Sequence, residues 1–152
     1  MPKLMILTAC ERVIVDRATS LPSLINIFQR MNIQLQDAPL VENAVAATKW
    51  SVFSLWAHTP EERDVEYTQR LEIISPSGAK YAELSTKFKI TDADDLQSKN
   101  HLDVLGLPIS TEGFIKIRVW LEGVADTTGE YQFLVKHNPK VKNETEPATA
   151  NR

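Results

Sequence analysis

Histidine and aspartate side chains are the groups in this sequence best suited to bind a metal or transfer a proton. The three histidines, His58, His101 and His137, lie far apart in the chain and share no motif. Asp103 follows His101 by two residues and is a candidate carboxylate partner for it. A zinc site needs at least three converging ligands, and nothing in this spacing indicates convergence. We therefore predict separate histidines at the surface or at strand ends, and no metal site.

A second acidic group, Asp92, Asp94 and Asp95, resembles a set of calcium ligands only loosely. It lacks the D-x-D-x-D-G spacing and the closing glutamate of an EF-hand loop. The residue types favour a short helical turn over 92–98, capped by Thr91 or Asp92. Because loop aspartates also bind calcium in some β-sandwiches, a divalent cation at this turn stays open as an alternative.

The single cysteine, Cys10, cannot form a disulfide within the chain. A reactive thiolate needs a nearby base or a helix N-terminus to lower its pKa, and the sequence places no histidine close to Cys10. We therefore predict a buried, unreactive cysteine in a strand. A lone cysteine is also typical of a protein in a reducing compartment, which predicts a cytoplasmic location.

Motifs that identify catalytic chemistry are missing from the sequence. There is no glycine-rich phosphate loop, no paired cysteine motif, no nucleophile elbow and no His-x-x-x-His pair. The five glycines leave few positions where backbone could approach a phosphate closely. The sequence therefore predicts no catalytic residue, no cofactor and no enzymatic activity.

Outward-facing apolar side chains are the more informative feature. Phe114 and Trp120 fall on the polar face of the predicted strand 114–122, and Leu134 falls on the matching face of the next strand. Such a patch marks a partner surface, a platform on which sugars stack, or a surface covered by a loop of the same chain. With two further tryptophans assigned to the same layer, the predicted interaction surface comprises Trp50, Trp56, Phe114, Trp120 and Leu134.

Strands that alternate between apolar and polar residues must position these groups. The clearest alternation covers 114–122 and continues, after a glycine-containing connection, into 131–136. The segment 64–74 alternates in the same way, and Ser-Pro-Ser-Gly separates it from a second alternating run at 81–90. Each pair predicts an antiparallel hairpin.

The first half of the chain predicts three further strands. Residues 4–15 and 24–35 are rich in valine, isoleucine and leucine, and we expect one strand in each. A helix competes for 24–35, because some of its apolar residues also have helical spacing. The segment 49–58 is apolar on both faces, which indicates a central strand or one lying beneath another layer.

Size and composition predict one globular domain. The chain has 152 residues, of which 43% are hydrophobic and 24% charged, with a net charge of −3. About eight strands between turn signals predict an all-β antiparallel sandwich over 1–137. Residues 138–152 predict a disordered tail, since they are polar and contain a single aliphatic valine. No dense basic run suggests nucleic-acid binding, and no segment reaches the length of a membrane span.

The segment Ala9-Cys10-Glu11-Arg12-Val13-Ile14-Val15-Asp16, followed by Ser23-Leu24-Ile25-Asn26-Ile27-Phe28, resembles the opening of an uncharacterised family of small bacterial proteins. In that family a cysteine close to a strand precedes a serine-leucine-isoleucine strand. The resemblance implies a β-sandwich. It implies no activity and no catalytic residues.

Three functions follow as hypotheses. The first is a non-enzymatic sandwich that acts through protein contacts, as a homo-oligomer or with another protein. The second is a module that binds a small ligand or a carbohydrate, with or without a divalent cation. The third, an enzyme, has the least support because no catalytic motif is present.

Overall fold

The computed structural model describes residues 1–35, 40–91 and 95–139, and these residues form an all-β protein as predicted. Apart from one turn of 3-10 helix at Pro60–Glu62, every regular element in this part of the chain is a strand. The strands are β1 (Lys3–Val15), β2 (Pro22–Ile27), β3 (Arg30–Gln34), β4 (Val45–Ala57), β5 (Tyr67–Ile74), β6 (Lys80–Phe88), β7 (Gln97–Pro108), β8 (Gly113–Leu121) and β9 (Gly129–Asn138).

Two sheets pack face to face as a sandwich. One sheet has four strands in the order β2-β1-β4-β7, and the other has five in the order β3-β9-β8-β5-β6. Buried apolar side chains from both sheets form a shared core, which includes Ala9, Trp50, Val52 and Val104 from the four-stranded sheet and Leu71, Ile73, Ile115, Ile117, Phe133 and Val135 from the five-stranded sheet. The described residues thus hold nine strands, where the sequence predicted about eight.

Period-two alternation explains which residues enter this core. On β8, Ile115, Ile117, Val119 and Leu121 are each at most 1% exposed, and the residues between them face the opposite side. Antiparallel pairing of β5 with β6 and of β8 with β9 confirms both predicted hairpins. β4 lies between β1 and β7, so the prediction of a central strand is also confirmed.

The prediction of strand structure over 24–35 is confirmed, but the single strand is wrong, because this segment forms two strands that belong to different sheets. β2 pairs antiparallel with β1, whereas β3 pairs parallel with β9, so the sandwich is not purely antiparallel. Asn26, one residue before the end of β2, has a positive φ of 52°. Phe28 then turns into the core, and its N–H donates to the carbonyl of Ala9 at 2.8 Å.

Two other predictions concern segments that border the ends of the described ranges. The predicted helical turn over 92–98 falls partly outside the described residues, and where it is described it is wrong at Gln97 and Ser98. These two residues belong to β7 and pair with the end of β4. β9 extends to Asn138, the first residue of the predicted tail, and 140–152 lie outside the described residues.

Candidate functional site

The outward face of the five-stranded sheet carries three of the five residues predicted to form an interaction surface. Phe114 is 48% exposed and lies beside Leu134, its partner in the β8–β9 register. Trp120 is half-buried and lies opposite Arg70 of β5. Phe114 and Leu134 are therefore neighbours, whereas Trp120 stands near the other end of β8.

A row of charged side chains crosses the sheet between those two positions. Arg118 lies 3.5 Å from Glu130 on β9 and 3.7 Å from Glu72 on β5, measured between nitrogen and oxygen atoms. Lys80 then bridges Glu72 at 3.0 Å and Glu83 at 2.9 Å. The outward aromatic residues do not form one continuous apolar patch, because this row separates them.

The other two predicted surface residues, Trp50 and Trp56, lie in the core, so their assignment to the surface is wrong. Both are 0% exposed, because the face of β4 that carries them packs against the five-stranded sheet. Each indole N–H finds an acceptor inside the protein. Trp50 donates to the carbonyl of Gly106 at 2.8 Å, and Trp56 donates to Oε1 of Gln69 at 2.6 Å.

The three histidines occupy separate environments. His101 is exposed on β7, and His137 places Nε2 2.6 Å from the carbonyl oxygen of Ile109. His58 is 8% exposed, and neither of its ring nitrogens has a hydrogen-bond partner among the described residues. Within that part of the chain, no group of three or more histidine, cysteine, aspartate and glutamate side chains converges as metal ligands. Asp92 and Asp94 lie outside the described residues.

Burial changes the acid–base behaviour of His58 and Cys10. The His58 ring packs between Tyr67 and Phe88, at centroid distances of 5.7 and 5.8 Å. Burial lowers the pKa of His58, although the neighbouring Glu62 carboxylate partly opposes that shift. Burial raises the pKa of the Cys10 thiol, so the thiol stays protonated at neutral pH and does not act as a nucleophile.

A cleft lies on the outward face of the four-stranded sheet. Phe53 points out of the sandwich, because its neighbours on β4 point into the core, yet it is only 3% exposed. It lies in a cavity of about 350 Å³ between the sheet, the β1–β2 hairpin and the β6–β7 connection. The lining residues are Val13, Val15, Ser20, Pro22, Phe53, Lys89, Ile90, Thr91, Asp95, Gln97, Ser98, Lys99 and His101.

A second cavity of about 400 Å³ adjoins the first and shares Val13 and His101 with it. Its other lining residues are all charged or polar: Glu11, Arg12, Lys49, Ser51 and Asp103. We call the two cavities together the outer cleft, with an apolar half around Phe53 and a charged half around Asp103. Both lie on one sheet face, since Phe53 is in register with His101 and Ser51 with Asp103.

Asp103 is held ionised by its neighbours in the charged half. Lys49 Nζ lies 2.8 Å from Oδ2, and the Ser51 hydroxyl donates to Oδ1 at 2.8 Å. These two hydrogen bonds, that from Lys49 first, lower the pKa of Asp103 below its usual range. The expected pairing of Asp103 with His101 is replaced by this arrangement, in which both carboxylate oxygens already have donors.

The outer cleft was not predicted from the sequence. It combines residues from β1, β2, β4, β7 and the β6–β7 connection, and no local motif connects these segments. The sequence contains one indication of the cleft. The segment 49–58 is apolar on both faces, so another part of the protein must cover Phe53. That pattern does not identify the β1–β2 hairpin as part of the cover.

Comparisons with known proteins provide no functional assignment. No family model and no curated protein matches the chain. One matching solved structure is an immunoglobulin-like protein from Pseudomonas aeruginosa, with 12% identity, a TM-score of 0.37, and coverage of 90% of this chain and 97% of that one. Among the described residues there is no helix long and apolar enough to cross a membrane.

Proposed function

We propose that the protein is a non-enzymatic binding module that holds a small molecule in the outer cleft. The observation that carries this proposal is Phe53, an outward-facing aromatic residue that is only 3% exposed at the base of a cavity of about 350 Å³. Small-molecule sites typically occupy about 300–1,000 Å³ and combine apolar walls with a few polar groups. The apolar and charged halves of the cleft supply that combination.

The β1–β2 hairpin forms one wall of the outer cleft, and a larger side chain on that wall would block the cleft. Val15 is 47% exposed and lines the apolar half, whereas the adjacent Ile14 is 44% exposed and lines neither cavity. Val15→Trp should therefore fill the cleft without disturbing the core. Ile14→Trp is the matched control, with the same new side chain one position away on the same strand.

A thermal-shift screen of small organic molecules, followed by titration of the hits, tests the proposal. We expect hits that raise the Tm of the wild-type protein and of Ile14→Trp but not that of Val15→Trp. The proposal is wrong if Val15→Trp, folded by circular dichroism, keeps the affinity of every hit. It is equally wrong if a broad screen at millimolar concentration gives no hit with the wild-type protein.

A second candidate function, contact with another protein or a second copy of this chain, is favoured by the Phe114–Leu134 pair. Phe114 of β8 is 48% exposed and stands next to Leu134 of β9 in the sheet register. Arg30 of β3 stands on the other side of Leu134. Phe114 and Leu134 form a smaller apolar patch than the sequence predicted, because the charged row separates Trp120 from them. This smaller patch supports the second candidate function.

Light scattering across a concentration series tests self-association. We expect a mass above that of the monomer for the wild-type protein and a monomer for Phe114→Ser. Leu105→Ser is the control, because Leu105 is 76% exposed on the other sheet. A monomeric wild-type protein at high micromolar concentration would remove self-association from consideration.

We place this binding role in the cytoplasm, with no nucleic acid and no membrane as partner. The buried free thiol of Cys10 is compatible with a reducing compartment. A net charge of −3 without a dense basic run opposes binding to phosphate backbones. Localisation of a tagged full-length chain by fractionation tests the compartment, and recovery from the secreted fraction would contradict it.

A further inference from the structure

We propose that the ligand of the outer cleft is a small amphiphilic carboxylate, with its apolar part over Phe53 and its carboxylate at Arg12 and His101. This inference rests on the proposed binding function and adds the chemical class of the ligand. It follows from which charged groups of the cleft already have partners and which do not.

The three carboxylates that line the cleft are all occupied. Asp103 accepts hydrogen bonds from Lys49 and Ser51, as described above. Glu11 Oε2 accepts from the side-chain amide of Asn26 at 2.6 Å. Asp95 accepts from the N–H of Gln97 at 3.1 Å and lies 3.4 Å from Lys99 Nζ. The charges of Asp103 and Asp95 are therefore compensated by Lys49 and Lys99, whereas Glu11 accepts only from a neutral amide and keeps its charge.

Two donors of the charged half have no such partner among the described residues, and neither has Lys89 in the apolar half. Neither the Arg12 guanidinium nor the His101 ring makes a hydrogen bond or ion pair with another described residue, and both are exposed at the charged half. Guanidinium groups bind carboxylates in a two-pronged geometry that matches their planar donors. Arg12 and Lys89 together outnumber the uncompensated Glu11, so the charge balance of the cleft favours an acceptor with negative charge.

The apolar half of the cleft determines which apolar group the ligand carries. Val13 and Val15 from β1, Pro22 from β2 and Ile90 from the β6–β7 connection share the cavity with Phe53. Aromatic and branched aliphatic groups gain most from such walls, because burial of apolar area drives their transfer from water. Val13 lines both halves, so a single short molecule can contact the apolar wall and the free donors together.

Three probes with one apolar body and different head groups test the ligand class: phenylacetate, phenylacetamide and phenethylamine. The measurement is titration of the 15N-labelled full chain, followed by backbone amide shifts in 15N–1H correlation spectra. We expect phenylacetate to bind at least about fivefold more tightly than the other two. The largest shifts should fall on 11–15, 51–53 and 101–103.

Arg12→Gln should weaken phenylacetate about tenfold, which corresponds to the loss of one charge-assisted hydrogen bond, and should leave phenylacetamide unchanged. Arg17→Gln is the matched control, because Arg17 is exposed beyond β1 and lines neither cavity. The ligand class is wrong, while the binding function stands, if phenethylamine or phenylacetamide binds in the cleft as tightly as phenylacetate. Both proposals fail if none of the probes shifts the cleft residues and the thermal-shift screen also gives no hit.

Discussion

Gln69 links the two sheets through a polar cluster in the core, and its substitution by leucine tests how much that cluster stabilises the fold. Gln69 lies on β5 and is 1% exposed. Its Oε1 accepts from the Ser54 hydroxyl at 2.7 Å, from Trp56 Nε1 at 2.6 Å and from the Asn100 amide at 3.3 Å. All three donors belong to the opposite sheet, on β4 and β7.

The expected cost comes from the donors that Gln69→Leu leaves behind. Leucine has a similar volume but no acceptor, so the Trp56 N–H, in a side chain that is 0% exposed, loses its partner. A buried polar group without a partner costs about 1–3 kcal/mol. The Ser54 hydroxyl is also buried but can rotate, so it adds less. We expect a loss of about 2–4 kcal/mol in the free energy of unfolding.

Urea denaturation followed by circular dichroism measures this loss. Gln132→Leu on the outward face of β9 is the matched control and should change the free energy of unfolding by less than about 0.5 kcal/mol. Combining Gln69→Leu with Trp56→Phe removes donor and acceptor together. The double variant should therefore be less destabilised than the sum of the two single variants by about 1–2 kcal/mol. A loss below about 0.5 kcal/mol for Gln69→Leu, or strict additivity in the double variant, would refute the reasoning.

Three other perturbations have expected outcomes. Gly106→Ala should destabilise the protein by about 2–4 kcal/mol in urea denaturation, because φ is +84° and a Cβ would overlap the Tyr81 hydroxyl. Gly78→Ala, at φ +87° with open space around the Cβ, should lose only about 1 kcal/mol, and equal losses would contradict the steric argument. Because burial lowers the pKa of His58 in the folded state, the unfolded state binds a proton at this residue at a higher pH than the folded state does. Stability should therefore fall below about pH 6.5, by at most about 1.4 kcal/mol per pH unit, and an unchanged pH slope in His58→Gln would contradict this. Arg118→Gln, in the exposed charged row, should lose less than about 1 kcal/mol, with the loss shrinking in high salt, and a larger loss that persists in salt would be inconsistent with solvent-screened ion pairs.

The hairpins were predictable because each has one polar and one apolar face. On β8 and β5 the apolar set is unambiguous, and the structure buries that set. β4 lacks this distinction, since Trp50 and Phe53 fall on opposite faces and both are apolar. The choice of inner face depends on the second sheet, which accommodates Trp50 against Phe133 at a centroid distance of 5.6 Å. The pattern of 49–58 does not separate inner from outer residues, and the acceptors that hold the N–H groups of Trp50 and Trp56 inside the core come from other strands.

The division of 24–35 between two sheets could not be predicted from the sequence, for a related reason. Apolar residues return at Met31 and Ile33 with the same parity as Ile25 and Ile27, so the interruption at Phe28 and Gln29 did not indicate a change of sheet. Asn26 has a left-handed backbone one residue before the end of β2, and the pairing with β9 fixes β3. The outer cleft depends on similar long-range placement. Residues of one local hairpin are predictable from their periodicity, whereas a cavity assembled from four strands and a connection is not.

The parallel pairing of β3 with β9 determines when the five-stranded sheet can be completed during synthesis. The Tyr131 hydroxyl donates to the carbonyl of Phe28, 103 residues earlier in the chain. β3 therefore leaves the ribosome long before the strand that it needs, while β1, β2 and β4 can already pair with one another. Pairings between distant segments slow folding, and unpaired strand edges promote aggregation. We therefore expect nascent chains that end before β9 to be the form of this protein that most depends on chaperones.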